Sequence, residues 1–200
     1  MHFDFVDIGT CDFETSADEV IKSDGKTALL VEPLKFYLDN LPVHKNILKV
    51  NVAVSNVNST ATIFYLDEKT ILKYDLPPWL RGCSSLNNIH PAAEHHLKEK
   101  NLSTDLVLKK DIKVITFFDL CETYDIQSIG QIKIDTEGYD HIILSSVLKK
   151  IKNGLDIKTI IFEYQEFFQN TKFLDSLILL FEKEGYKKFR ETNIDMRLEK

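Results

Sequence analysis

Short apolar runs with little polar alternation recur along this chain, and stretches of helical character separate them. Residues 3–8, 27–31, 47–54, 114–118, 131–134 and 158–162 are such runs. A strand that is apolar on both sides must be covered on both sides. Strand–helix alternation provides that cover as a largely parallel sheet with helices on either face. The intervening helices are expected over Asp12–Ser23, Leu34–Leu41, Leu120–Tyr124, Ile142–Lys152 and Thr171–Glu184. In the last of these, Phe173, Leu174, Leu177, Ile178 and Phe181 form one apolar stripe, which belongs to a core. Residues 61–66 alternate in polarity and read as a further strand, compatible with antiparallel pairing. Two short strands around Asn193 close the chain after Gly185 stops the last helix, which puts an antiparallel strand near the C-terminus.

Size and charge narrow the function classes. Two hundred residues make one domain, 1–200, the default. The formal net charge of -6 argues against general affinity for a nucleic-acid backbone, and no basic-aromatic run is present to suggest otherwise. Cys11, Cys83 and Cys121 are odd in number and widely spaced, unlike a disulfide framework or a zinc pattern. A reducing, cytoplasmic location is the expectation. The longest apolar run, Leu177–Phe181, is too short to span a bilayer. Met1 and His2 lead straight into a core strand, which suggests a domain excised from a longer protein.

Residues 67–110 fit the alternation least. Pro77-Pro78, Trp79, Gly82, a serine-rich patch and a histidine-rich patch fall here, and only Pro91–Lys100 has clear helical character. A long irregular segment inside a compact domain reads as a lid or an acceptor-binding insertion.

Ligands of parallel sheets bind at the carboxyl ends of the strands. Asp7, Glu32, Ala53, Asp135 and Glu163 all fall near such ends. At the first, Asp7-Ile8-Gly9 followed by Glu32 one strand later is a nucleoside-binding arrangement. The glycine admits a close backbone approach, and the later acid accepts hydrogen bonds from ribose hydroxyls. A dinucleotide site would carry Gly-x-Gly-x-x-Gly, but here the loop runs Gly9-Thr10-Cys11-Asp12-Phe13-Glu14. Without those glycines, and with acids in their place, the loop suits an ammonium or a sulfonium better than a diphosphate. S-adenosylmethionine carries both cations and fits better than NAD.

Further motifs make a family resemblance specific. Val6 to Gly9, Val31-Glu32-Pro33, Asn51 to Ser55, Gly82 to Leu86, Thr116 to Asp119, Ile132 to Asp140 and Ile161 to Glu163 stand in the order and spacing of the FkbM-type methyltransferases, which the chain resembles from about residue 5 to 165. The Lys-Ile-Asp-x-Glu-Gly loop, Lys133 to Gly138, is the most specific piece. The resemblance implies a Rossmann-like class I methyltransferase fold and S-adenosylmethionine-dependent O-methylation, commonly of sugar hydroxyls on glycans and natural products. It puts Asp7 and Gly9 beside the methionine part of the cofactor, with Thr10, Cys11 and Pro33 alongside. It puts Glu32 at the ribose, Ala53 against adenine, and Asp135 and Glu137 toward the methyl group and the acceptor. Cys11 to Phe13 depart from the family pattern of an asparagine and a second glycine, which bears on cofactor affinity more than on fold. A sugar or glycan acceptor, and a neighbouring glycosyltransferase domain or partner, follow by analogy alone. Two rival readings stand beside this one. The first is the same chemistry on a nucleic-acid ribose or a small phenol; the second is a methyltransferase-fold binding module without catalysis.

Methyl transfer asks mainly for alignment, with the acceptor oxygen about 3 Å from the methyl carbon and in line with the sulfonium. A sugar hydroxyl is a weak nucleophile, and a base that takes its proton contributes roughly two to four orders of magnitude. Asp135 is the first candidate for that base. The alternative is a divalent cation, Mg or Mn, on Asp135, Glu137 and Glu163, which would acidify the hydroxyl. An Asp after a strand also serves simply to cap the next helix. His90, His95 and His96 match no zinc spacing and are expected at the surface. His141 beside the acidic loop is expected to be no more functional than these. Trp79 with Tyr74 reads as lid or core packing or, less favoured, as a platform for a sugar ring.

Overall fold

The computed structural model describes residues 1–13, 15–86, 88–164 and 171–200. The chain begins β1 (His2–Ile8), α1 (Ala17–Lys22), β2 (Ala28–Val31), α2 (Lys35–Asn40) and β3 (Ile47–Val50). It continues through β4 (Ala53–Ser55), β5 (Ser59–Tyr65), α3 (Glu68–Lys73), a 3₁₀ turn (Pro78–Arg81), β6 (Ser85–Leu86) and α4 (Pro91–Glu99). After a second 3₁₀ turn (Thr104–Leu106) come β7 (Leu108–Thr116), α5 (Phe117–Thr123), β8 (Ser128–Ile134) and α6 (Asp140–Lys152). The remaining elements are β9 (Asp156–Glu163), α7 (Thr171–Lys183), β10 (Lys187–Arg190) and β11 (Asp195–Glu199).

The apolar runs pair into a seven-stranded sheet of order β10-β11-β9-β8-β1-β2-β3. Neighbours among β3, β2, β1, β8 and β9 are parallel, while β11 runs antiparallel to β9 and β10 antiparallel to β11. This is the Rossmann-like α/β fold, with the antiparallel strands at the C-terminal edge. Phe5, Ala28 and Leu30 pack on one face with Ala17 and Val20 of α1 and Leu38 of α2. Val6, Ile8, Ile132 and Ile160 pack on the other, against α5, α6 and α7.

The chain winds outward from β1 to β3, then returns to place β8 on the other side of β1. Strand order thus reverses at the β1–β8 boundary, where a crevice opens at the carboxyl ends. The register fixes what lines it. Ile8 pairs with Val31 and with Ile134, and Ile134 pairs with Phe162. One residue further on, the same row holds Glu32, Gly9, Asp135 and Glu163.

Four expectations are corrected. The run 47–54 is two strands, not one, because the chain leaves the sheet at Asn51. That side chain donates from Nδ2 to the carbonyls of Glu32 and Pro33, each at 2.9 Å, and β4 then joins a second sheet. This sheet, of order β4-β7-β5-β6, is built largely on the antiparallel pair β5–β7. The segment 67–110 is not irregular. It carries α3, β6, α4 and the start of β7, and it has its own apolar cluster of Leu66, Ile71, Leu76, Leu80, Leu97 and Val107. Its helices are delimited by local chemistry: Asp67 Oδ1 accepts from Thr70 N at 2.9 Å, and α3 and α4 run into Asp75 (φ 49°) and Asn101 (φ 55°) in the left-handed region. Finally, the strand expected to reach Phe118 stops at Thr116, whose Oγ1 accepts from Asp119 N at 3.0 Å and so starts α5 at Phe117. The helix expected over 12–23 is likewise confined to Ala17–Lys22.

Candidate active site

Two adjoining cavities occupy the crevice, and Ile8, Gly9, Cys11, Gly82, Asp135 and Glu137 line both. The first is a narrow slot, apolar along Val31, Val52, Ala53, Val54, Ile63 and Leu86, with Glu32 as a buried acid among them. The second, of about 510 Å³, is more polar and is faced by Asp7, Lys133, His90, Glu163 and Asp195, with Phe13 and Trp79 at its edge.

The slot is shaped by β1, β2 and the turn after β3. Glu32 is 2% exposed. Its Oε2 accepts from Cys11 N and its Oε1 from Leu34 N, both at 2.8 Å. Burial nevertheless pushes its pKa up to about 7, against the effect of those two donors. Cys11, with φ 47°, is thereby tied to Glu32, and Thr10 is buried beside it. Cys11 and Phe13 lie against the 67–110 segment: the Cys11 thiol points to the Arg81 carbonyl at 3.7 Å, and the Arg81 guanidinium stacks over the Phe13 ring at 4.8 Å. Arg81 Nε also pairs with Asp12 Oδ1 at 3.2 Å. The acidic loop expected from the sequence is therefore partly neutralised by a cation from the insertion. Glu14 lies outside the described residues.

Asp7 is 4% exposed, and its Oδ2 accepts from Ser16 N and Ser16 Oγ, each at 2.8 Å. It thus anchors the entry to α1 while lining the second cavity. Burial raises its pKa despite the Ser16 donors.

The β8 loop supplies the acids between the cavities. Lys133 near the end of β8 and Asp135 directly after it lie two residues apart, and Lys133 Nζ stands 3.1 Å from Asp135 Oδ2. Glu137 takes a left-handed conformation, φ 51°, and turns its carboxylate toward the insertion. There His90 Nε2 lies 2.8 Å from Glu137 Oε2, and Ser85 Oγ donates to the Glu137 carbonyl at 3.2 Å. Burial raises the Glu137 pKa, while His90 works in the opposite direction.

Asp140 braces this loop and was not assigned a role from sequence. Completely buried, it accepts at Oδ1 from Thr136 N (2.9 Å) and Thr136 Oγ1 (2.5 Å), and at Oδ2 from Glu163 N (3.1 Å). One carboxylate therefore joins the end of β8 to the end of β9. Burial lifts its pKa to about 7.

Of the three neighbouring histidines, His90 is 4% exposed, contrary to expectation, and belongs to the site. It caps α4, accepting from Ala92 N at 3.2 Å on Nδ1. Its signal in the sequence was its position just before Pro91, where an N-cap residue stands. His95 and His96 lie along α4 near Glu99, at 3.4 and 3.2 Å. His141 is half-buried and meets the Phe173 ring edge-on at 5.8 Å. Trp79 is 50% exposed at the second cavity, whereas Tyr74 packs on the insertion's own core.

The cation set Asp135, Glu137 and Glu163 does not come together as ligands among the described residues. The group with ligand atoms within 4.8 Å of one another is Cys83, His90 and Glu137. That group suits hydrogen bonding better than a metal. His90 Nδ1 already accepts a hydrogen bond from Ala92 N, so Nε2 carries the ring's own hydrogen and has no lone pair to offer. Burial and the acids around it also raise the Cys83 pKa, favouring the thiol over the thiolate.

No described helix is long and apolar enough to cross a membrane. No curated protein matches the chain. Among solved structures, a methyltransferase from Pyrococcus furiosus is similar at 10% identity, with a TM-score of 0.37, covering 97% of this chain and 72% of that one. The model of the methyltransferase FkbM domain matches residues 7–188, nearly the whole chain and all of the site residues from Asp7 to Glu163, and the chain belongs to that methyltransferase family.

Proposed function

We propose that this protein is an S-adenosylmethionine-dependent O-methyltransferase acting on a sugar hydroxyl of a glycan or deoxysugar. The observation that carries the proposal is the pair of cavities meeting at Gly9, Asp135 and Glu137. A displacement at carbon needs donor and acceptor in separate compartments that face each other across one short gap.

The residues present fit the cofactor. The apolar slot along Ala53 and Val54 suits a purine, and Glu32 suits ribose hydroxyls, since a carboxylate can accept more than the two backbone bonds it already holds. Asp135 at the junction and Asp7 in the adjoining wall of the second cavity suit a sulfonium and an ammonium. When bound, the cofactor supplies the electrophilic methyl group. The chain's own part is to hold the acceptor oxygen in line, exclude water and take the hydroxyl proton on a carboxylate, Asp135 or Glu137.

The second cavity is lined by hydrogen-bonding side chains and edged by Trp79, a combination that suits a polyol ring. Its carboxylates disfavour a phosphate-bearing strand, in keeping with the net charge of -6. A glycosyltransferase acting before or after methylation belongs to the same reading.

Calorimetric titration with S-adenosylhomocysteine tests the cofactor, and transfer of labelled methyl from S-adenosylmethionine to a panel of free and glycosidic sugars tests the acceptor. Micromolar binding with label on sugar oxygen is expected. Folded protein that binds no S-adenosylhomocysteine would leave only a binding module.

A further inference from the structure

We propose that Glu137, positioned by His90, is the residue that takes the acceptor's proton, while Asp135 is engaged by Lys133 for a different task. This rests on the methyl-transfer reading above and divides the labour between its two carboxylates.

The geometry separates them. Asp135 Oδ2 lies 3.1 Å from the Lys133 ammonium, a full positive charge that is well placed to hold it as a spectator anion near the cofactor. Glu137 Oε2 meets instead a neutral donor, His90 Nε2, at 2.8 Å, and both side chains are shielded, at 3% and 19% exposure. The tautomer follows from the helix cap. Ala92 N donates to His90 Nδ1, so the ring hydrogen sits on Nε2, the nitrogen that lies beside the Glu137 carboxylate. A neutral N–H dipole this close favours the charged carboxylate without cancelling its charge, which is what a base requires.

The loop geometry reinforces the assignment. Glu137 holds φ 51°, and its carbonyl is fixed by Ser85 Oγ at 3.2 Å. The insertion thus grips this one residue at both backbone and side chain, and Glu137 lines both cavities. The groups that face it are His90 and Cys83 from the insertion and Asp135 and Lys133 from β8, with Glu163 of β9 across the same cavity. In the reaction the acceptor oxygen bonds to the methyl carbon as the carbon–sulfur bond breaks, and that bond's electrons remain on sulfur. The hydroxyl proton moves to the Glu137 carboxylate and later leaves to solvent. Charge and atoms balance without a metal or a further reactant.

His90 is a positioning residue. Its replacement should therefore change the acid–base behaviour and not only the amount of folded protein. His90→Asn keeps a side-chain acceptor for the cap of α4 but falls short of Glu137. In His90→Asn, S-adenosylhomocysteine affinity should be retained, kcat should fall, and the acid limb of kcat/KM should move to higher pH, because a donor that favours the charged carboxylate is gone. Glu137→Gln should lose roughly two to four orders of magnitude in kcat, with cofactor binding intact. Long-range proton–nitrogen NMR of the imidazoles gives a readout that needs no acceptor: His90 should appear as the Nε2–H tautomer, and its signals should shift in Glu137→Gln.

An Nδ1–H tautomer, an acid limb unmoved in His90→Asn, or loss of turnover in Asp135→Asn but not in Glu137→Gln would overturn the assignment. So would activity abolished by a chelator and restored by zinc, which would make Cys83, His90 and Glu137 ligands. If the wild-type protein binds S-adenosylhomocysteine and shows the Nε2–H tautomer yet methylates no sugar in the panel, the functional reading fails and the catalytic role fails with it.

Discussion

The backbone oxygen of Asp135 occupies the space that a side chain on Gly9 would need. A Cβ built on Gly9 falls 1.9 Å from that oxygen and 2.8 Å from its carbon. The ends of β1 and β8 are drawn together here by Asp135 N donating to Ile8 O at 2.9 Å, so the first candidate acid is delivered by a contact that tolerates only hydrogen at position 9.

Gly9→Ala is therefore expected to be far more damaging than its backbone angle alone dictates. Gly25 provides the comparison, because it has the same φ of +85° but nothing within 4 Å of a built Cβ. Gly25→Ala should cost only the left-handed penalty, about 1–2 kcal/mol. Gly9→Ala adds a backbone collision and should cost several kcal/mol in all, on the order of 3–5. Urea unfolding of the two variants measures the difference, and equal losses would mean that β1 and β8 are less close than described.

How far the sequence reveals this site depends on how local each cause is. The β1, β2, β8 and β9 strands are legible because a run apolar on both faces has few other places to go, and the acids at their ends inherit their position from the strand. Lys133 is legible too, since period two puts it on the face of Asp135. The second sheet was not legible, because β4 and β6 span three and two residues and leave almost no periodic signal. His90 is hidden for a different reason. The polar pattern of α4 describes its exposed face, whereas His90 precedes α4 as its cap and is set beside Glu137, a residue 47 positions away that no local pattern registers.

Two buried acids make the stability of the protein depend on pH. Glu32 and Asp140 are both shifted by burial to about 7, above their ordinary values. Each holds its proton more tightly when folded than when unfolded. Their contribution is therefore complete below the ordinary carboxylate range and is lost as pH rises through about 7. The loss is on the order of 3 kcal/mol per group. Unfolding free energy without ligand should decline between about pH 4 and pH 7, and Asp140→Asn, which cannot titrate, should flatten that slope. A slope of opposite sign would show that these carboxylates are ionised throughout.

Asp140→Ala should act differently from Asp140→Asn. It strands the Thr136 N–H, the Thr136 hydroxyl and the Glu163 N–H, all of which now end on this one side chain. Unpaired buried donors cost about 1–3 kcal/mol each, less what water recovers, so a loss of about 3 kcal/mol or more is expected. The loop that carries Glu137 should loosen with it, which predicts faster amide hydrogen exchange at residues 135–138 than in the Asn variant.

If Glu32 receives ribose hydroxyls, ligand binding favours its charged form. Affinity for S-adenosylhomocysteine should then rise with pH through about 7 and be accompanied by proton release. Calorimetry in buffers of differing ionisation enthalpy detects that proton directly. Glu32→Gln should bind roughly 10–100-fold more weakly and lose the pH dependence. Proton uptake on binding would place the ribose elsewhere.

Trp79 offers an optical test of the second cavity. It is the chain's one tryptophan, half exposed at the cavity edge, with its ring set edgewise to His96 at 5.4 Å between centroids. A sugar ring lying on its open face would remove water from the indole and shift its emission to shorter wavelength. Such stacking binds ground state and transition state alike, so Trp79→Ala should raise the acceptor KM about tenfold with little change in kcat. The two readouts check each other. An emission shift that saturates at the acceptor KM puts the sugar against Trp79. An emission that stays fixed while methylation saturates means that the acceptor enters the cavity on the side of Lys133 and Asp195, leaving Trp79 as a wall of the insertion.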